Sequence, residues 1–136
     1  MSETVEHTTY GRHVLLDVWG VPFADLNDLE LMKQTMRAAA AACQATVVSE
    51  TFYRFPVQGL SGVLVLAESH ISVHTTPEHE YASFDIFTCG ENMDPCLAAE
   101  HIVRALSVPK WFIRQFERGT ESGIEEVPLA SMSVVS

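Results

Sequence analysis

Basic residues are scarce in this chain of 136 residues: eight Lys and Arg stand against 18 Asp and Glu, a formal net charge of −10. With no basic stripe or cluster, a nucleic-acid partner is excluded, because neutralising phosphates needs Lys and Arg gathered on one surface. The acidic balance suits a cationic substrate, though it serves solubility equally well. Cysteine is sparse too. Cys43, Cys89 and Cys96 are odd in number and lack the dense spacing of a disulfide scaffold, which points to a reducing, cytoplasmic setting. CxxC and HExxH spacings are missing, and His70, His74 and Cys89 do not complete a tetrahedral ligand set, so no metal is expected. No stretch approaches the roughly 18 apolar residues that span a bilayer. Met1 to Thr9 is polar and carries Glu3 and Glu6, unlike a signal or transit peptide. No membrane partner is expected.

What is present is an ordinary globular composition, 47% hydrophobic and 19% charged, sufficient for one core. Residues 10–19 read as a strand closed by Gly20 and Pro22. Leu29, Met32, Met36, Ala39, Ala40 and Cys43 recur at helical spacing, predicting a helix from about Asn27 to Ala42. Asp25 or Asn27 would cap it, with Glu30 completing a capping box from Asn27. Residues 45–55 and 61–67 read as strands around a turn at Pro56 to Gly59, and extended backbone resumes at 70–75 after a break near Glu68-Ser69. Residues 77–80 form a loop, 81–88 a strand. Asp94 and Pro95 open a second helix to about Leu106, and 110–117 is the last strand. The order predicts an α+β fold, a two-layer α/β sandwich whose largely antiparallel sheet carries two helices on one face. The other sheet face is left free to meet another copy. Three segments follow: a flexible N-terminus at 1–9, one domain at 10–118, and a loose tail at 119–136.

The densest chemistry lies at Ala67-Glu-Ser-His-Ile-Ser-Val-His-Thr-Thr-Pro-Glu78 and at Asp85-Ile-Phe-Thr-Cys-Gly90. These stretches, with Gly11-Arg-His-Val-Leu15 and Gly90-Glu-Asn-Met-Asp-Pro95, resemble the bacterial S-adenosylmethionine decarboxylase proenzymes over about residues 10–118. The resemblance implies self-cleavage between Glu68 and Ser69, with Ser69 becoming a pyruvoyl cofactor that forms a Schiff base with the substrate amine. It implies His74 as the processing base, Ser61 as a hydrogen-bond donor to the cleavage intermediate, and Cys89 as the proton donor in turnover. Phe55 would stack on adenine and Glu78 would bind the ribose hydroxyls. The mature unit would be a homodimer of cleaved protomers, each made of chains 1–68 and 69–136, with residues from both protomers at each site. The product would feed spermidine synthesis.

Physical chemistry adds a condition. Ser69 and His74 are an odd number of residues apart, so on one unbroken strand they point to opposite faces; their cooperation therefore requires a bulge or kink around 68–71. Phe55 serves as a stacking platform only if it is exposed. Cys43 falls on the apolar helix face and reads as core, and His13 reads as structural. Thr76 stands where many relatives of that family carry Trp, which keeps open a pyruvoyl decarboxylase for ornithine or arginine. An uncleaved, non-catalytic partner subunit is the third reading.

Overall fold

In the computed structural model, which describes residues 8–129, seven antiparallel strands form one sheet ordered β2-β3-β4-β5-β1-β6-β7. The strands are β1 (Gly11–Trp19), β2 (Val47–Arg54), β3 (Leu60–Leu66), β4 (Ser69–Thr76), β5 (Tyr81–Cys89), β6 (Lys110–Thr120) and β7 (Gly123–Val127). Three helices accompany them: α1 (Phe23–Leu26), α2 (Leu29–Ala42) and α3 (Pro95–Ala105). The α+β sandwich expected from the sequence is what forms, and no described helix is long and apolar enough to cross a membrane.

Strand alternation divides the sheet cleanly. Val14, Leu16, Val18, Leu64, Ile71, Phe84 and Ile86 are fully buried on the inner face, against Met32, Met36 and Ala39 of α2 and Ile102 of α3. Each of these side chains larger than alanine contributes about 1.5–3 kcal/mol by leaving water. Among the described residues, no helix covers the outer face. Leu15, Trp19, Tyr53, Val65 and Phe112 stand partly exposed there.

Three expectations need correction. A third, one-turn helix, α1, follows Pro22 and buries Leu26. The cap of α2 is Asp28, whose carboxylate accepts from the Leu31 N–H at 3.0 Å. Neither Asp25 nor Asn27 serves, because Asn27 is engaged elsewhere: its Oδ1 accepts from Gly59 N at 2.9 Å and its carbonyl from Arg54 at 3.0 Å. The described part of the tail, finally, is not loose. Gly119, at φ +85°, lies in an irregularity of the β6–β7 register that falls between Glu117 and Thr120, and the chain then doubles back as β7. Gln115, buried in β6, donates to the Pro128 carbonyl at 2.9 Å and fixes the segment that follows. Residues 1–7 and 130–136, included in the expected flexible ends, lie outside the described residues.

Candidate active site

Strands β3 and β4 are joined by a two-residue turn, Ala67-Glu68, closed by the Leu66–Ser69 pair. Neither turn residue has positive φ, unlike the mirror-image turns usual in two-residue hairpins. The turn is held from both sides. Ala67 N donates to Thr46 O at 2.9 Å, Thr46 N donates to the Glu68 carboxylate at 3.1 Å, and Cys89 N donates to the Glu68 carbonyl at 2.9 Å. The carbonyl preceding Ser69 is therefore polarised by a backbone N–H before any reaction. Glu68, Ser69, Cys89 and Gly90 line an open cavity of about 390 Å³. Cys89 is a free, exposed thiol, and the Ser69 hydroxyl lies 3.4 Å from His70 Nδ1.

The other candidates gather at the far end of β4. Ser61 and His74 are directly paired across β3 and β4, with Ser61 Oγ 2.7 Å from His74 Nδ1. The Phe55 ring meets His74 edge-on at 5.9 Å and Tyr53 at 4.9 Å. At 36% exposure, Phe55 is available to a flat ligand. Phe55, His74, Thr76 and Glu78 line a second cavity of about 280 Å³. Its base is shaped by Gly59, whose φ of +104° favours glycine. Glu78 is held below the usual carboxylate range by its own backbone N–H and then by Gln58, so it stays an acceptor-only anion near neutrality.

No bulge connects the two groups. β4 keeps regular register with both neighbours from Ser69 to Thr76, which corrects the kink required at 68–71. The turn absorbs the change of direction within residues 67–68, so Ser69 is already a strand residue. At about 3.4 Å per residue, Ser69 and His74 stand roughly 17 Å apart along the strand, and their side chains leave opposite faces.

A row of residues to which the sequence reading gave no role in the chemistry, with His13 read as structural, lies between the clusters and the sheet centre. His70, Phe87 and His13 are successive cross-strand neighbours on the outer face. His13 Nε2 is 3.2 Å from Asp85, its Nδ1 is 3.4 Å from Arg118, and Arg118 sits 4.9 Å over the Phe87 ring. Burial pushes the His13 pKa down, against the upward pull of Asp85. The parity of His13, Asp85 and Phe87 on their strands was the available signal, but it needs the strand order to be read.

Comparisons with known proteins bear on the family and the fold. The sequence model of the S-adenosylmethionine decarboxylase family matches residues 12–119. The S-adenosylmethionine decarboxylase proenzyme of Symbiobacterium thermophilum is 46% identical over 114 residues, covering 84% of this chain and 86% of the relative. The Brevibacillus brevis proenzyme is 44% identical over 115 residues, covering 85% and 86%. The crystal structure of the Aquifex aeolicus adenosylmethionine decarboxylase superposes with a TM-score of 0.77 at 34% identity, covering 83% of this chain and 93% of that one.

Proposed function

Because the chain belongs to the S-adenosylmethionine decarboxylase family, we propose that it cleaves itself at Glu68-Ser69 and then decarboxylates S-adenosylmethionine. The reaction site is assembled from two copies. One copy supplies Glu68, Ser69 and Cys89; the other supplies Phe55, Ser61, His74 and Glu78. The observation that carries this reading is that two incomplete clusters lie about 17 Å apart at the two ends of β4, with Ser69 and His74 on opposite sides of that strand, while the outer sheet face is left uncovered among the described residues. In a twofold pairing of two such faces, each copy's turn end meets its partner's far end, so both sites are completed at once. The partly exposed Leu15, Trp19, Tyr53, Val65 and Phe112 are the apolar area such a pairing would cover.

Cleavage begins when Ser69 Oγ bonds to the Glu68 carbonyl carbon. The Glu68–Ser69 C–N bond breaks, and the hydroxyl proton ends on the freed nitrogen, leaving an ester. The Cys89 N–H on the Glu68 carbonyl, with Ser61 of the partner subunit, stabilises the developing oxyanion. His74 of the partner subunit then removes the Ser69 α-proton. The Cα–Cβ double bond forms as Cβ–Oγ breaks, and Glu68 departs as a carboxylate. The resulting dehydroalanine, through its imine, takes up water and loses ammonia.

The residues present fit a pyruvoyl group at position 69: its precursor hydroxyl lies on a reachable turn, in one cavity with an exposed thiol. That group would supply the conjugated carbonyl into which electrons flow as carbon dioxide leaves. Cys89 returns a proton to the substrate α-carbon, a task for which a thiol titrates closer to neutrality than an alcohol. Phe55 packs on the adenine and, where it nears the sulfonium, on its positive charge. Glu78 accepts from the ribose hydroxyls.

The test is co-expression of the Ser69→Ala and His74→Ala variants. Neither is cut alone, but a mixed dimer holds one complete site, so the His74→Ala chain should appear as fragments 1–68 and 69–136 by intact mass. A His74→Ala chain that stays whole in verified mixed dimers contradicts the shared site. Borohydride trapping with S-adenosylmethionine, ornithine and arginine in competition identifies the substrate. Labelling of residues 69–136 by ornithine or arginine instead would refute the assignment.

A further inference from the structure

Thr88 sits beside the scissile serine, and its hydroxyl is unpaired among the described residues. The residue is 0% exposed. Leaving a desolvated hydroxyl unpaired destabilises the fold, so its persistence at this place calls for a use. Register gives the neighbours. Thr88 faces Ser69 on β4 and Arg12 on β1, and all three side chains leave the inner face. Arg12 carries the second unpaired buried atom, Nε, while its guanidinium donates to the Glu91 and Met93 carbonyls and so ties down the loop after Cys89.

The pairing is also of the close kind. Cys89 N bonds to Glu68 O, and ladder bonds alternate, so the adjacent Ser69–Thr88 pair is a non-hydrogen-bonded one. In such pairs the Cα atoms approach to about 4.5 Å and the side chains come nearest, and hydroxyl pairs across strands bond readily. The Glu68 carbonyl lies in the sheet, directed at β5. A nucleophile reaches its carbon from above or below that plane, and Ser69 projects on the inner side, where Thr88 is.

We infer that Thr88 is a positioning residue for the cleavage proposed above: its Oγ1 accepts the Ser69 hydroxyl and holds the Ser69 oxygen over the Glu68 carbonyl carbon, in place of the outward contact with His70. Thr88 exchanges no proton; the Ser69 proton still ends on the amide nitrogen. The inference rests on the self-cleavage reading, and the test separates the two.

Wild type, Thr88→Val and Thr88→Ser are made by cell-free synthesis, so that each time course starts uncut, and cleavage is followed by intact mass with and without hydroxylamine. Losing one positioning hydrogen bond slows Thr88→Val by about tenfold or more, whereas Thr88→Ser stays near the wild-type rate. Thr88→Val should melt at or above an uncut Ser69→Ala control, since it removes an unpaired buried group. A merely structural hydroxyl gives no such opposition between rate and melting. Hydroxylamine, which cuts esters, should not restore Thr88→Val, because the ester is what fails to form. Wild-type cleavage speed in Thr88→Val, or its rescue by hydroxylamine, overturns the inference while leaving self-cleavage intact. A wild-type chain that is never cut removes both. Should Thr88→Val melt well below the control, Thr88→Ala compared with Thr88→Ser carries the same decision.

Discussion

Ser61 and His74 face each other across β3 and β4 with oxygen and Nδ1 2.7 Å apart, a contact that fixes the imidazole ring with its other nitrogen directed away from Ser61. Ser61→Ala frees the ring and removes a donor. We expect cleavage to slow by roughly 10²-fold or more with little change in melting temperature, read by intact mass and thermal denaturation. Unchanged cleavage in Ser61→Ala would remove that serine from the mechanism.

Cys89 acts through two different atoms. Its N–H polarises the Glu68 carbonyl and its thiol faces solvent. Cys89→Ala retains the first and loses the second, so the chain should still be cut while turnover falls by about 10²–10⁴. Cys89→Pro has no N–H and should remain whole. Alkylation of the folded chain should mark Cys89 before Cys43, which is buried and whose thiol burial pushes up in pKa.

His13 gives the fold a dependence on acid. Its pKa is lowered from the ordinary 6.5, chiefly by burial, so the unfolded chain takes up the proton first as pH falls. Stability rises with pH wherever the unfolded state binds more protons. The contribution is therefore full above about pH 6.5 and is lost as pH drops through the lower folded value. Melting temperatures between about pH 7 and 5 should fall more steeply for wild type than for His13→Gln. Parallel curves would contradict this.

A chain ending at Glu121 loses β7 and the Pro128 carbonyl that satisfies Gln115. The amide of Gln115 is then buried without its acceptor and the β6 edge is open. We expect melting to drop by roughly 5–15 °C. Arg114→Ala, which breaks the exposed pair with Glu126 and an exposed contact with the adjacent Ile113 carbonyl, should change melting little.

The alternation of Val14, Leu16 and Val18 and the helical recurrence of Met32, Met36 and Ala39 are local patterns, so the sandwich was readable along the chain. The Asp94-Pro95 start of α3 was readable too, because a cap and a first-turn proline act within a few residues. What escaped depends on distant partners. Asn27 was, with Asp25, an expected cap, but Gly59 and Arg54, more than 25 residues away, engage it instead. Glycine and serine near 119–123 read as an ending, whereas they turn the chain into β7. In the site, parity correctly placed Ser69 and His74 on opposite faces. The bulge expected to reconcile them is absent, since the turn at 67–68 absorbs the change of direction and β4 keeps its register from Ser69 onward.

The turn at Ala67-Glu68 decides what becomes of the molecule once severed. The first fragment owns β1, β2 and β3; the second owns β4 to β7. In the sheet, however, β1 is inserted between β5 and β6, so the two pieces are interlaced rather than merely adjacent. They share the β3–β4, β5–β1 and β1–β6 ladders as well as α2 against α3. Scission opens one connection at the rim and leaves those seams closed, so the halves should travel as one particle until denatured.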